Sequence, residues 1–415
     1  MNKNDGKTWF DYLCDLSLIG LLMALLAFSP NAKRVFIPVE VLFIAIFGIR
    51  FFIRRSKLSP YTVWSLGFVA LALISTTYAP DESKAMQLAI SVIQVVLFGN
   101  LLLPYFRDLE ANIHIFLYGV MIAAFVLLFR IVISTPIEVL LKTRWGNTVA
   151  INANQVGLVL AFGSLVSLYY GITSRKLIFL LPALIFALSS LFSGSRKAIV
   201  IIVLGSLILV LLTRKATVSS ILELSILLFV LFGFLYLSFS WDPLHNVLGK
   251  RIETLISFFT KNTTDGSTSV RFEMICKGWE MAKQRPILGY GLASFAELAG
   301  YGFYAHNNYI ELLFSLGIVG FLWYYIFIIK LGVHAIIQLF SGKKNKLLVL
   351  VIAFIVVLMV DDIGRVRYYN EFSHMLFVLG YAINQLGNPQ NGPDLQSILV
   401  RIIPWFQNSK GIKQD

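Results

Sequence analysis

The stretch Ile113-His-Ile-Phe-Leu-Tyr-Gly-Val-Met-Ile-Ala-Ala-Phe-Val-Leu-Leu-Phe-Arg-Ile-Val-Ile-Ser134 decides the fold class. A bilayer core takes about 20 mostly apolar residues as one helix. This run fills it with Arg130 as the one fully charged side chain, near one end. Comparable runs lie near 13–30, 35–53, 61–78, 86–106, 153–173, 176–194, 197–213, 220–240, 307–330, 346–360 and 371–387, so twelve spans are expected. Composition agrees. Across 415 residues, 57% are hydrophobic and 14% charged, where soluble domains carry about 25% charged residues. So few charges cannot cover a water-soluble globule of this size. The same numbers exclude disorder, collagen and small disulfide scaffolds. The sequence therefore reads as an all-α integral membrane protein whose apolar surface faces lipid.

A formal net charge of +13 would suggest nucleic acid in a soluble protein. Here the basic residues cluster between apolar runs, which is an orientation signal, and no nucleic-acid partner is expected. Twelve spans put both termini on one side. Segments on that side carry seventeen basic residues: Lys3, Lys7, Arg50, Arg54, Arg55, Lys57, Arg107, Arg175, Lys176, Arg214, Lys215, Lys343, Lys344, Lys346, Arg401, Lys410 and Lys413. Short segments on the other side carry nine: Lys33, Arg34, Lys84, Lys142, Arg144, Arg196, Lys197, Arg365 and Arg367. The first set is therefore expected in the cytoplasm. Lys3 and Lys7 precede the first span as they would in a signal peptide, but no A-x-A site follows cleanly, so the span reads as an uncleaved helix. The expected organisation is nine spans in 1–240, a periplasmic loop at 241–306, three spans in 307–390 and a cytoplasmic tail at 391–415. Cys14 and Cys276 lie far apart and build neither a disulfide framework nor a zinc site. No repeat of fixed period is visible.

The long loop is where the sequence becomes specific. Pro243 to Phe259 places Leu244, Leu248, Ile252, Leu255 and Phe259 at three- or four-residue spacing, and Arg271 to Gln284 does the same with Phe272, Ile275, Trp279 and Ala282. Both read as amphipathic helices able to lie in the headgroup plane, with Lys250, Arg251, Lys277 and Lys283 on or near their polar faces. The polar run 261–269 between them has turn chemistry. After them, in Arg285-Pro-Ile-Leu-Gly-Tyr-Gly291, proline ends the helix and Gly289 and Gly291 permit a tight backbone path; both glycines count as substrate-binding positions. A further span needs none of this apparatus, whereas a lid over an interfacial active site would.

Several residues have the chemistry for such a site. In Ser193-Gly-Ser-Arg-Lys-Ala198, Ser195, Arg196 and Lys197 converge on an anion if the turn presents its amides and the guanidinium fork together. The plainer reading is a turn whose cations snorkel to headgroups. Arg271 is either an interfacial cation or a second phosphate contact. His306, in Tyr304-Ala-His-Asn-Asn-Tyr309, is either structural or a base poised near neutral pH. Asn307 and Asn308 hold a sugar hydroxyl, fix the imidazole tautomer, or simply cap a helix. Arg365 and Arg367 are next in line as phosphate contacts. Asp361-Asp362 reads as a solvated helix end before a metal site, and no metal ligand or cofactor is assigned. Asn152, Asn154 and Gln155 open the sixth span and are positioned to face a cavity. Walker, Rossmann, Gly-x-Ser-x-Gly and His-Glu-x-x-His patterns are absent from the sequence.

Three motifs coincide in order: Ser193-Gly-Ser-Arg196; Arg271 running into Pro286-Ile-Leu-Gly-Tyr-Gly291; and Ala305-His-Asn-Asn-Tyr-Ile-Glu311 leading into Leu316-Gly-Ile-Val-Gly320. Together they resemble the O-antigen ligase and polysaccharide polymerase superfamily of bacterial envelope enzymes, over roughly residues 150–330. The resemblance implies a C-type membrane glycosyltransferase, in the inner membrane, that takes a glycan from undecaprenyl diphosphate on the periplasmic face without metal or nucleotide sugar. It matches Arg196 and Arg271 to arginines that hold the diphosphate and His306 to the base, with inversion at the anomeric carbon. The acceptor is a lipid A-core sugar in a ligase, the expected activity, or a second lipid-linked repeat unit in a polymerase. The stretch between Arg271 and His306 is shorter than in some ligases, which keeps the polymerase in view. A twelve-helix transporter or lipid flippase is the rival from another class; it should show two similar halves, and the long outer loop breaks that symmetry.

Overall fold

The computed structural model describes residues 7–28, 32–54, 58–213, 229, 232, 233, 236–261, 266–342 and 345–386, and among them there are helices and no strand. In chain order the helices are α1 (Trp9–Ala27), α2 (Lys33–Arg54), α3 (Pro60–Thr76), α4 (Glu82–Asp108), α5 (Glu110–Ser134), α6 (Ile137–Lys142), α7 (Ala153–Ser174), α8 (Leu180–Leu191), α9 (Arg196–Thr213), α10 (Lys250–Lys261), α11 (Gly266–Ala282), α12 (Ser294–Leu298), α13 (Asn308–Phe340), α14 (Leu347–Asp361) and α15 (Glu371–Gln385). Seven of them (α1, α2, α4, α5, α7, α9 and α13) are long and apolar enough to cross a membrane, and α3, α8 and α14 are shorter apolar helices. The protein is a multi-pass membrane protein. The span expected at 220–240 lies mostly outside the described residues. The run 176–194 gives only the 12-residue α8, about 18 Å long. Pro182 is confined to its first turn, and Gly194, at φ +61°, turns the chain back soon after its end.

Polar side chains start these helices. Ser59 caps α3 ahead of Pro60, Asp81 caps α4, Asn152 caps α7, Asn307 caps α13 and Asn370 caps α15. Each supplies an acceptor to an amide that has no partner within its own helix. Helix α7 is apolar on all sides and packs against α5, α8 and α9, so it forms the centre. Helix α2 instead leaves Ile37, Val41, Leu42, Ile49, Phe52 and Ile53 more than half exposed, a face suited to lipid. Helices α3 and α13 are clamped by two indole bonds, Trp64 Nε1 to the Trp323 carbonyl (2.8 Å) and Trp323 Nε1 to the Trp64 carbonyl (2.9 Å).

At one end of the bundle, buried Arg50 of α2 pairs with Asp11 of α1 (2.6 Å) and Asp108 of α4 (2.7 Å). Helix α5 leaves this cluster at Glu110 and runs 25 residues, about 37 Å, to Ser134. The charge clamp and the α5–α7 connection therefore lie at opposite ends.

Helix α13 departs from the expected span. Its 33 residues would measure about 50 Å, beyond a core of about 30 Å. It is broken at Gly317, where φ is +60° and ψ −166°. The break removes the helical bonds from Ile318 N to Phe314 O and from Val319 N to Ser315 O. The segment 286–291 restores all four partners: Tyr290 N donates to Phe314 O (2.8 Å), Gly291 N to Ser315 O (2.9 Å), Ile318 N to Pro286 O (2.8 Å) and Val319 N to Ile287 O (3.3 Å). Gly289 and Gly291, at φ +70° and +93°, lie against α13 and Ala79, with no room for a Cβ. Their demand for glycine is thus explained by backbone packing.

Of the two loop helices the first keeps its expected place, since helical backbone runs from Asp242 through a π turn at His245–Gly249 into α10, whereas the second starts early. Helix α11 begins inside the run read as polar loop, supported by Ser269 donating to Glu273 four residues on (3.1 Å). Met274 and Ala282 are buried and Gly278 abuts Ile310 and Phe295, while Phe272 and Trp279 of the expected apolar stripe are exposed. Close approach at Gly278 selects the face that packs.

Gly317→Ala is expected to place a Cβ against the Ile287 carbonyl and force a left-handed alanine, costing on the order of 2–3 kcal/mol. Thermal unfolding in detergent checks this against Gly48→Ala, where an added Cβ meets nothing within 4 Å and the change should be neutral or stabilising by up to about 1 kcal/mol.

Candidate functional site

The site begins with the loop 299–307 between α12 and α13. Lys277 of α11 donates to the Ala299 carbonyl (2.7 Å), Gly302 N donates to the Ala296 carbonyl (2.9 Å), and Ala305 N donates to the Glu311 carboxylate (2.7 Å), itself only 2% exposed. These anchors set His306 at φ +53°, a left-handed conformation uncommon for a residue with a side chain. Such strain persists only where the surroundings over-determine it. Asn307 does part of that work: its Oδ1 accepts from Ile310 N (3.0 Å) and its Nδ2 donates to the Ile363 carbonyl (3.1 Å).

Asn308 does the rest. It is fully buried; its amide donates to the Asp362 carbonyl (2.8 Å) and its Nδ2 to Tyr325 Oη (2.8 Å), while its Oδ1 accepts from Arg367 N (2.8 Å) and Tyr368 N (3.2 Å). Tyr325 donates its own proton to Asp362 (2.9 Å). The segment 361–368 is thus sewn to the start of α13, which brings Asp361, Gly364 and Arg365 to His306.

The result is an open cavity of about 210 Å³ lined by Asn152, Asn154, Gln155, Leu158, Lys197, Arg271, Tyr304, His306, Asp361, Gly364 and Arg365. Most pockets for drug-sized ligands exceed about 300 Å³, so this one suits a small anionic group rather than a whole glycolipid. It lies at the starts of α7, α9 and α13 and the end of α14, the end of the bundle opposite the Arg50 clamp. Three cations face one carboxylate. Lys197 donates to the Gly364 carbonyl and pairs with Asp361 (3.4 Å). Among the described residues, Arg271 and Arg365 form no ion pair. Arg144 supports the wall from behind, donating to the Ser193 carbonyl (2.9 Å) and to Asn154 Oδ1 (3.2 Å).

His306 responds to this charge. Burial, then the nearby Arg271 and Lys197 charges, push its pKa down from 6.5 to about 4. The imidazole is therefore neutral near pH 7 and able to accept a proton. Tyr304 lies against it with ring centroids 4.4 Å apart.

The sequence candidates divide. His306, Arg271, Lys197 and Arg365 meet in the cavity, as do Asn152, Asn154 and Gln155. Arg196 opens α9 beside Lys197, half-buried, and is not a lining residue; Ser195 is buried behind it. Arg367 is 1% exposed and pairs with Asp362 at 2.6 Å, so its charge is spent inside the protein. Asn307 and Asn308 spend their side-chain amides on bonds inside the protein, Gly289 and Gly291 serve backbone packing, and none of the four lines the cavity. Asp361 and Asp362 diverge, each facing a different cation. The sequence reading did not single out Tyr304, Gly364 or Glu311.

Residues 181–325 match the family model described as O-antigen ligase. No curated protein matches the chain. The matched stretch contains the Ser193–Arg196 turn, Arg271, Pro286–Gly291 and the His306–Gly320 segment, so the resemblance read from those motifs stands. It supports an O-antigen ligase-type or polymerase-type activity in broad terms, with lipid-linked glycans as the general substrate class.

The charge arrangement makes a titration prediction. Between about pH 4 and 6.5 the His306 imidazole stays neutral where a free histidine would be protonated. Arg271→Gln removes one of the two repelling cations, so the protonated form becomes less costly and the pKa should rise toward 6.5. Carbon-13 NMR of labelled histidine in detergent, assigned with His306→Gln, reads this directly; an unchanged titration would detach Arg271 from the imidazole.

Proposed function

We propose that this protein is an inverting membrane glycosyltransferase that moves a glycan from undecaprenyl diphosphate to an acceptor sugar, acting as an O-antigen ligase with the lipid A-core as acceptor. One observation carries the reading: three cations and a single carboxylate surround a neutral imidazole in one cavity. That surplus of positive charge suits a departing diphosphate, and the imidazole suits an incoming hydroxyl.

In the transfer step the acceptor hydroxyl gives its proton to His306 as its oxygen bonds to the anomeric carbon of the donor. The bond from that carbon to the phosphate oxygen breaks on the opposite face, and its electron pair leaves on the diphosphate. In-line displacement inverts the anomeric centre. The imidazolium then releases its proton to water. Arg271, Lys197 and Arg365 meet the charge that grows on the leaving group, in a partly dehydrated setting where such stabilisation is often the largest catalytic term. Arg196, one residue from Lys197, is assigned to the part of the diphosphate that extends past the cavity. We place the cavity on the periplasmic face of the inner membrane, with twelve spans, 241–306 as the outer loop, and both termini and the tail 391–415, which lie outside the described residues, in the cytoplasm. The bias of basic residues and the Arg50 clamp at the opposite end support that orientation.

His306→Ala and Arg271→Ala are each expected to lower transfer by about 10²-fold or more while the protein still inserts, and Arg196→Ala to do the same. Immunoblots of membranes and in vitro transfer check both halves; full activity in any of the three removes that residue from the mechanism. Activity should survive excess EDTA, and loss reversed by magnesium would shift weight to Asp361. In a deletion strain, a lipopolysaccharide gel showing core without O-antigen is the ligase outcome, whereas core capped by a single repeat unit would make the protein a polymerase.

A further inference from the structure

Resting on that reading, we propose that Tyr304 is the stacking platform for the acceptor sugar ring. Among the described residues that line the cavity, Tyr304 carries the one benzenoid ring. It is 41% exposed, with its ring centroid 4.4 Å from that of His306. Phe303, 45% exposed, meets the same imidazole edge-on at 5.7 Å. An exposed aromatic pair beside a cationic cavity is not explained by packing, because the loop that carries it is held on both sides. Tyr301, below, stacks on Phe295 (6.3 Å) under Lys277, and Ala305, above, is fully buried and bonded to Glu311. Gly300 and Gly302, both at φ +75°, make the turns that let 303 and 304 project between those anchors.

A pyranose ring has an apolar face of C–H groups with polarised hydrogens, which complements the negative face of an aromatic ring. The acceptor is the sugar that must reach His306, since its hydroxyl loses the proton. The donor ring is fixed instead by its diphosphate to Arg271, Lys197 and Arg365. A ring 4.4 Å from the imidazole is thus placed for the acceptor. It sets the register of one hydroxyl against the base, and stacking tolerates several sugars of similar shape.

The test measures binding by the purified full-length protein in detergent. One probe is core oligosaccharide released from lipopolysaccharide; the other is inorganic pyrophosphate. Tyr304→Leu should weaken oligosaccharide binding about tenfold. Tyr304→Phe, which keeps the ring, should restore it to within about twofold of wild type, and pyrophosphate affinity should be the same in all three proteins. Oligosaccharide binding that is unaffected by Tyr304→Leu, lost equally in both variants, or absent from wild type overturns the platform. So does parallel loss of pyrophosphate binding in Tyr304→Leu, which would make the ring structural. Failure of the underlying reading shows separately, as wild-type protein that does not bind pyrophosphate or whose pyrophosphate binding ignores Arg271→Gln.

Discussion

A backbone amide or carbonyl in hydrocarbon has no water to bond, and each one left unpaired costs several kcal/mol. Gly317 breaks an apolar helix and would orphan two carbonyls and two amides. The break exists because 286–291 supplies a partner for every one of them. That repair has a consequence for the site. The segment 286–291 follows α11, which carries Arg271 at the cavity, and α13 begins beside His306. The four bonds therefore fix a loop helix and a bundle helix in one relative position, without which the guanidinium and the imidazole would depend on a hinge. Tyr78 of the α3–α4 connection adds a fifth contact, donating to the Leu288 carbonyl (2.8 Å).

The charges near the cavity do two separate jobs, divided by burial. Arg367 and Asp362 are sealed from solvent and matched to one another, with Tyr325 and Asn308 completing the network. Removing either charge would leave the other buried and unpaired, which is strongly destabilising. This pair holds the 361–368 segment and adds no net charge. Arg271, Lys197 and Arg365 open onto the cavity with only Asp361 against them. The surplus is exposed where an anion can reach it. The cavity and its surplus of positive charge thus rest on a buried, charge-balanced pair.

The bundle was largely legible because apolar runs of span length have few other uses. What escaped were the places where one residue changes the outcome: Pro182 shortening α8, Gly317 breaking α13, Gly278 selecting the packed face of α11. The site was legible where the chemistry of a side chain is rare. Histidine occurs 5 times in the chain, and the one at a polar membrane boundary lines the cavity. Tyrosine and phenylalanine occur 17 and 34 times, so nothing in the sequence separates Tyr304 from the rest. Asn307 and Asn308 show a different limit. Their amides suit a sugar hydroxyl and a backbone carbonyl equally, and only the folded path of 361–368 shows that the protein has used them. Arg367 and Arg365 are two residues apart and read alike, yet one faces inward and the other lines the cavity.

In the proposed mechanism the cations that meet the leaving group also act on the base. Burial first, and then Arg271 and Lys197, push the His306 pKa down to about 4, which makes it a weak base at neutral pH. A bound diphosphate changes this through the same Coulomb interactions. Its negative charge offsets Arg271 and Lys197, so the imidazolium that forms during transfer is no longer repelled, and the pKa must rise. Under the proposed function the imidazole is thus strengthened as a proton acceptor by the donor whose departure it would assist. An acceptor hydroxyl that arrives alone finds a poor base, and one that arrives beside a lipid-linked diphosphate finds a competent one. In that mechanism electrostatics favours activation after the donor is seated, because the charges assigned to the phosphate are the same side chains that, after burial, suppress the base.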